Sequence, residues 1–317
     1  MKISTVIVTF NRKQMLKRCV LAVCNQTYSV NEILIIDNCS SDGTDNCVAS
    51  LIKKWGSKIK IRYYRMSENR GGAGGFEFGI SKAFNHEADF IWLMDDDGEP
   101  APNCLKELLK HARSDLLIGP LVVSSENGAL LAFPVRSKGK LVNIESVNKF
   151  KNCFPLLAPD ILFPFNGTLL PRKIVKNIGL PRGCYFIWGD EIEYCLRSKE
   201  AGYELVTITS AVFYHPKKAN IGTKMMGGLL TYNYSTERIK NYCIVRNSIR
   251  NYLDYKNFIY AILFAVKTFW FHTFTKPSLT NLGISFQASI DALKKDFSKH
   301  KRFLNKTTSE GSDATNK

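Results

Sequence analysis

Within the first hundred residues, short apolar runs alternate with helical periodicity, and this alternation restricts the chain to one class of fold. Ile3 to Thr9 is rich in β-branched residues and predicts a buried strand. Lys13 to Cys24 carries Met15, Leu16, Cys19, Val20 and Val23 at helical spacing. Glu32 to Asp37 predicts a second strand, Asp45 to Trp55 a helix, Ile59 to Tyr64 a third strand, Phe76 to Phe84 a helix and Phe90 to Met94 a fourth strand. Strands alternating with helices imply an α/β domain, a doubly wound parallel sheet that binds ligands outside the carboxyl ends of its strands. Three of those ends carry polar sequence: Thr9-Phe10-Asn11-Arg12, Asp37-Asn38 and Asp95-Asp96-Asp97. They are expected to converge on one crevice.

The chain has 317 residues, enough for one large domain with an appendage or for two domains, and its 45% hydrophobic content supports a sizeable core. The net charge of +16 favours an anionic partner: nucleic acid, acidic lipid or a phosphorylated substrate. A nucleic-acid-binding module does not explain acid clusters at strand ends, which repel phosphate unless a cation intervenes. Residues 1–215 read as one catalytic domain. Residues 216–306 hold 16 Lys and Arg against four acids, with aromatics interleaved, and read as a basic helical extension. Residues 307–317 are polar and predict a disordered tail. The nine cysteines are odd in number, with no C-x-x-C, and read as reduced thiols rather than a disulfide framework or a zinc site. The apolar N-terminal run is short and rich in Ser and Thr, unlike a secretory leader, which predicts a cytoplasmic location.

Asp95, Asp96 and Asp97 repel one another and cannot all be buried cheaply. A solvated acidic turn is one reading. Their place after a buried strand in a nucleotide-type sheet favours another, in which a hard divalent cation bridges the cluster to a diphosphate. A second acidic run, Trp188-Gly189-Asp190-Glu191-Ile192-Glu193, predicts a helix N-terminus. Its acids either cap that helix or supply a general base for an attacking hydroxyl. His215 follows a strand-like run from Glu204 to Phe213, at a position suited to a metal ligand or to a structural role. Glu68 to Gly75 is a glycine-rich loop without the Gly-Lys-Ser/Thr of a phosphate-binding loop.

In combination these motifs resemble glycosyltransferase family 2, in order over roughly residues 3 to 215. Val6 to Arg12 looks like that family's first strand and nucleotide loop, and Ile36 to Thr44 like its D-N-x-S-x-D-G-T signature. Asp95-x-Asp97 matches its metal motif, and Asp190-Glu191-Ile192-Glu193 its E-D-x-D/E motif. Within the family, the glycine-rich loop, the triple Asp, the Trp188 segment and His215 resemble bacterial galactofuranosyltransferases, with rhamnosyltransferases using dTDP-rhamnose as runner-up. The resemblance implies a GT-A fold, a Rossmann-like mixed sheet flanked by helices, and an inverting, Mn2+- or Mg2+-dependent hexosyltransferase of cell-surface polysaccharide or O-antigen synthesis. It implies UDP-galactofuranose as donor, held by Thr9, Phe10, Asn11, Arg12, Asp37, Asn38, Arg70, Gly71, Asp95 and Asp96. It further implies metal ligation by Asp95, Asp97 and His215, a base at Glu191 or Asp190, and acceptor contact by Trp188 and Glu193. A nucleotidyltransferase shares the sheet and the aspartates but releases pyrophosphate rather than UDP, and a non-catalytic interaction protein would tolerate loss of Asp95.

Phe258 to Phe274 is apolar but interrupted by Lys267 and His272. It predicts either the buried helix of a small helical domain or an interfacial amphipathic helix on anionic lipid. The second reading would bring the protein to a polyprenyl-diphosphate-linked glycan acceptor at the inner face of the plasma membrane.

Overall fold

A computed structural model describes residues 1–136, 143–217 and 222–304. The tail expected over 307–317 lies outside the described residues. The first half of the chain runs β1 (Ile3–Thr9), α1 (Lys13–Cys24), β2 (Glu32–Asp37), α2 (Thr44–Trp55), β3 (Lys60–Arg65), α3 (Gly71–Asn85), β4 (Phe90–Asp95), β5 (Glu99–Pro100), α4 (Cys104–Leu109), β6 (Leu116–Ser124), β7 (Leu130–Arg136), β8 (Asn143–Ser146) and α5 (Val147–Cys153). It continues with β9 (Leu157–Pro159), β10 (Asn166–Pro171), α6 (Arg172–Ile178), α7 (Asp190–Glu200), β11 (Glu204–His215), β12 (Thr223–Met225), β13 (Leu230–Tyr232), α8 (Arg238–Tyr255), α9 (Phe258–Trp270) and α10 (Leu279–Lys294).

Two compact units result. The first comprises Met1–Gly183 and Tyr194–Ala219, the second Cys184–Glu193 and Asn220–Lys317. Against the boundary expected after residue 215, the chain changes unit a few residues later, and Cys184–Glu193 groups with the second unit rather than the first.

The first unit is built on a sheet of order β3-β2-β1-β4-β10-β6-β11-β5. Strands β1 to β4 are mutually parallel, as the alternation predicts, whereas β10 runs antiparallel to both β4 and β6, which makes the sheet mixed. Every residue of β1 and β2 is buried, because helices cover both faces. Two clusters form the core: Ile3, Ile7, Leu16, Val20, Ile33 and Trp92 belong to one, and Val6, Val8, Leu34, Ile36, Phe76 and Ile80 to the other.

One expected loop is corrected. Gly71 opens α3, so the second half of the Glu68–Gly75 run is helical. A Cβ on Gly79 would lie 2.4 Å from Val6 Cγ1, and one on Gly75 would lie 2.5 Å from Val8 Cγ1. These glycines let α3 lie flush against β1.

The second unit centres on α8, α9 and α10, around Tyr242, Cys243, Val245, Ile249, Ala261, Ile284 and Ala288. Asn257 and Ser278 cap α9 and α10 by accepting from the backbone N–H groups of Tyr260 and Asn281. Helix α9 is not the buried helix that its composition allows. Only Ala261 and Thr268 are buried along it, while Phe258, Ile259, Ile262, Leu263, Val266 and Phe269 stand exposed. The helical stretch Phe258–Thr275 is long and apolar enough to cross a membrane by length and composition, with 22% of it buried.

Candidate active site

The sheet register brings the motifs of the first unit together. Val8 pairs with Asp95 and Thr9 with Asp37, so the ends of β1, β2 and β4 share one edge. Strand β1 lies between β2 and β4, where the direction of the sheet's winding reverses, the crevice-forming position of doubly wound sheets.

At this edge Asp96 is buried. Its Oδ2 accepts from Thr9 Oγ1 at 2.6 Å, and its Oδ1 lies 3.3 Å from an Arg12 guanidinium nitrogen. The same nitrogen lies 3.0 Å from Asp97 Oδ2, so Arg12 bridges two of the three aspartates. Burial pushes the Asp96 carboxyl up to about 6, and Asp97 adds to the rise, while Thr9 and Arg12 oppose it.

Asp97 is joined by a residue from far along the chain. Strand β5 pairs antiparallel with β11, Tyr214 opposite Glu99, which returns His215 to the acidic turn. His215 Nε2 lies 3.2 Å from Asp97 Oδ1. Its Nδ1 lies 2.7 Å from the Pro216 carbonyl oxygen, which can only accept, so Nδ1 carries hydrogen and Nε2 is the atom turned toward the carboxylate. A cavity of about 340 Å3 beside this pair is lined by Arg18, Asp97, Glu99, Ser125, Tyr214 and Pro216. Arg18 and Glu99 were not singled out from sequence; Glu99 carries a signal only in retrospect, as the register partner of Tyr214.

The remaining nucleotide-site candidates divide by exposure. Phe10 is exposed, and Asn11, at φ 53°, accepts from Ser41 N–H at 2.7 Å. Asp37 is fully buried, accepting from Ser40 N–H at 2.9 Å and from Tyr63 O–H at 2.5 Å. Asn38 is buried too, its amide donating to the Gly71 carbonyl at 3.0 Å and its oxygen accepting from Arg70 N–H at 3.3 Å. Asn38 therefore holds the start of α3. Arg70 extends into solvent and pairs with Glu77 at 2.8 Å.

The second acidic motif belongs to the second unit. Asp190 and Glu193, three residues apart on α7, are both buried, whereas Glu191 is partly exposed. Glu191 Oε2 accepts from Gly189 N–H at 2.9 Å, and Glu193 accepts from Tyr255 O–H at 2.5 Å. Glu193, expected at the acceptor, is fully buried. Trp188 is half-buried, with the Lys240 ammonium 5.9 Å from its ring.

The donor set fits a hard divalent cation in part. Among the described residues, no three His, Cys, Asp or Glu side chains are grouped to hold a metal ion. Asp97 and His215 present a carboxylate oxygen and an imidazole nitrogen to one another beside an open cavity, with Asp95 on the same turn. Mg2+ and Mn2+ are commonly held in this way, by one or two protein ligands completed by substrate phosphate and water.

The model of glycosyl transferase family 2 matches residues 4–176. Galactofuranosyltransferase GlfT1 of Mycolicibacterium smegmatis is 30% identical over 257 residues, covering 79% of this chain and 82% of that protein. GlfT1 of Mycobacterium tuberculosis is likewise 30% identical, over 246 residues, 76% of this chain and 79% of that one. Among solved structures, GalNAc-T7 with UDP, GalNAc and Mn2+ superposes with a TM-score of 0.59 at 17% identity, covering 97% of this chain and 57% of that one. S. aureus TarS 1-349 in complex with UDP-GlcNAc gives 0.55 at 13% identity, over 98% and 92% of the two chains. These structural likenesses establish the GT-A fold.

Proposed function

The chain belongs to glycosyltransferase family 2, and from that membership we propose that it transfers a galactofuranosyl residue from UDP-galactofuranose to a lipid-linked glycan acceptor, with inversion at the anomeric carbon. The likeness to the GlfT1 proteins over most of both chains carries the choice of sugar. The strand ends that meet at Thr9, Asp37 and Asp95 carry the choice of a nucleotide-linked donor.

In this reading the first unit binds the donor. Arg12 restrains Asp96 and Asp97, while Thr9 secures Asp96 from below, so the acidic turn is ordered before any ligand arrives. Asp97, His215 and Asp95 would hold Mn2+ or Mg2+, which stabilises negative charge on the departing UDP. Arg70, the exposed cation of the α3 entrance, is free to exchange Glu77 for a donor phosphate because the pair is solvent-screened. Glu191 takes the proton. It is the better exposed of the two candidate acids, while Asp190 is buried. The acceptor hydroxyl oxygen attacks the anomeric carbon as the bond to the UDP oxygen breaks, and its hydrogen passes to Glu191.

A UDP-release assay across UDP-galactofuranose, UDP-galactopyranose, UDP-N-acetylglucosamine and dTDP-rhamnose, with and without Mn2+, tests the reading. Release should be fastest with UDP-galactofuranose and should depend on Mn2+. Dominant turnover of dTDP-rhamnose would reject the donor, and formation of pyrophosphate would reject sugar transfer.

Peripheral attachment to anionic lipid, at the inner face of the plasma membrane, completes the proposal. The outward side of α9 carries Ile259, Ile262, Leu263, Val266 and Phe269 with no charge among them, and α10 adds Leu279, Phe286 and Leu293 at seven-residue intervals. Lys256, Lys276, Lys294 and Lys295 stand exposed at the ends of these helices. An apolar stripe bordered by lysines matches the headgroup boundary of an anionic bilayer. The protein should co-sediment with phosphatidylglycerol vesicles more than with phosphatidylcholine vesicles, and the Leu263→Glu, Phe269→Glu double variant should remain in the supernatant. Failure of the wild type to sediment with either kind of vesicle would remove the membrane from the proposal.

A further inference from the structure

The segment Tyr185–Gly189, which leads into the second acidic motif, has an unusual backbone. Phe186 and Trp188 have φ of 70° and 60°, and Gly189 has φ 98°. Left-handed conformations at two bulky aromatic residues persist only where the surroundings impose them. Here α8 imposes them. Asn247 Nδ2, with two hydrogens to share, lies within hydrogen-bond distance of three carbonyls of the segment, those of Tyr185 at 3.1 Å, Ile187 at 3.1 Å and Trp188 at 2.6 Å. Asn251 Nδ2 donates to the Gly189 carbonyl at 2.9 Å, and its oxygen accepts from Tyr185 O–H at 2.7 Å. Arg246 aligns the clasp: Nε donates to Asn247 Oδ1 at 2.9 Å, which leaves the Asn247 amide nitrogen as the end facing the segment, and another guanidinium nitrogen reaches the Tyr185 carbonyl at 2.8 Å.

The arrangement is more specific than packing requires. Arg246 and Asn247 are fully buried and Asn251 nearly so. Apolar side chains would fill such positions without the cost of desolvating a guanidinium and two amides. Asn247, Asn251 and Tyr255 recur every fourth residue, on one stripe of α8, and Tyr255 holds Glu193 at the far end of the motif. Gly189 is the only residue type that suits its place: φ is positive, and a Cβ would lie 3.0 Å from Asn247 Cβ. Its N–H is the group on which Glu191 Oε2 rests.

We propose that Asn247 and Asn251 are positioning residues, which fix the backbone of Tyr185–Gly189 and through it the orientation of the Glu191 carboxylate during proton removal. The inference rests on the reading of Glu191 as the base. Proton transfer tolerates little misplacement, and an error on the order of 1 Å costs about a hundredfold in rate.

The test uses the full chain with UDP-galactofuranose, Mn2+ and a polyprenyl-diphosphate-linked acceptor. Asn247→Ser shortens the clasp, and Asn251→Leu serves as the second variant should the first fail to fold. Thermal unfolding checks the fold, calorimetry gives the donor Kd, and UDP release gives kcat. The expected result is a fall in kcat of about 10- to 100-fold with donor Kd within about twofold of wild type. Combining either substitution with Glu191→Gln should then cost little more than Glu191→Gln alone, because both act on one step. A folded variant with wild-type kcat, or a loss that multiplies fully in the double variant, would overturn the positioning role. Undiminished turnover by Glu191→Gln alone would instead overturn the assignment of the base, which keeps the two failures apart.

Discussion

Replacing Glu191 with Gln should lower kcat by about 10²- to 10⁴-fold while leaving the donor Kd within about twofold. The amide keeps the shape of the carboxylate and can still accept from Gly189 N–H through its oxygen, so the local fold survives. What it loses is the capacity to accept the hydroxyl proton. Donor affinity should be untouched because the residues proposed to hold the nucleotide, metal and phosphates belong to the first unit. Calorimetric titration with UDP and single-turnover measurement of UDP release separate the two effects. Asp190→Asn provides the comparison. Its carboxyl is buried, so that substitution should show first in thermal stability. If Asp190→Asn abolishes turnover at unchanged stability and Glu191→Gln does not, the two acids exchange roles.

Asp97→Ala should reduce kcat/KM by more than about a thousandfold, several kcal/mol of transition-state stabilisation. It removes the carboxylate that faces His215 and one of the two on which Arg12 rests. His215→Ala should weaken metal binding less, since it removes one neutral ligand and leaves the charge of the turn intact. Titrating UDP release against Mn2+ reads both: Asp97→Ala should lose the metal response, and His215→Ala should shift it to higher concentration. Metal-dependent turnover retained in Asp97→Ala would rule out Asp97 as a ligand. Chelation of the wild type by EDTA, followed by return of Mn2+, gives the reversible control.

The parts of this molecule that could be read from sequence are those governed by near neighbours. Strands β1, β2 and β4 announce themselves because both faces are covered, which makes their apolar runs continuous. The acidic turn at Asp95–Asp97 is legible because three adjacent carboxylates at a strand end are costly anywhere else. The glycine run is less legible. Gly75 and Gly79 recur at helical spacing, but composition alone does not distinguish glycines that admit a ligand from glycines that admit a neighbouring strand, and Val8 and Val6 occupy the space. The run from Phe258 to Phe274 is ambiguous on the same grounds, because the side of α9 that stays uncovered depends on what α8 and α10 leave for it.

Sequence alone thus determined the family and the mixed α/β class, and it marked the candidate acids, since each follows from local pattern and from motifs in fixed order. Only the tertiary structure decided which partners those residues meet and which of them it buries. The pairing of β5 with β11 brought His215 to Asp97 across more than a hundred residues. Helical phase turned Asp190 and Glu193 inward and left Glu191 partly exposed. Burial engaged Asp37 and Asn38 in holding loops. The stripe of α8 that clasps Tyr185–Gly189 acquires meaning only once the helix lies beside the segment whose carbonyls it meets. Periodicity constrains which face of an element is apolar, but the partner of each polar side chain is set by long-range packing, and no local rule encodes it.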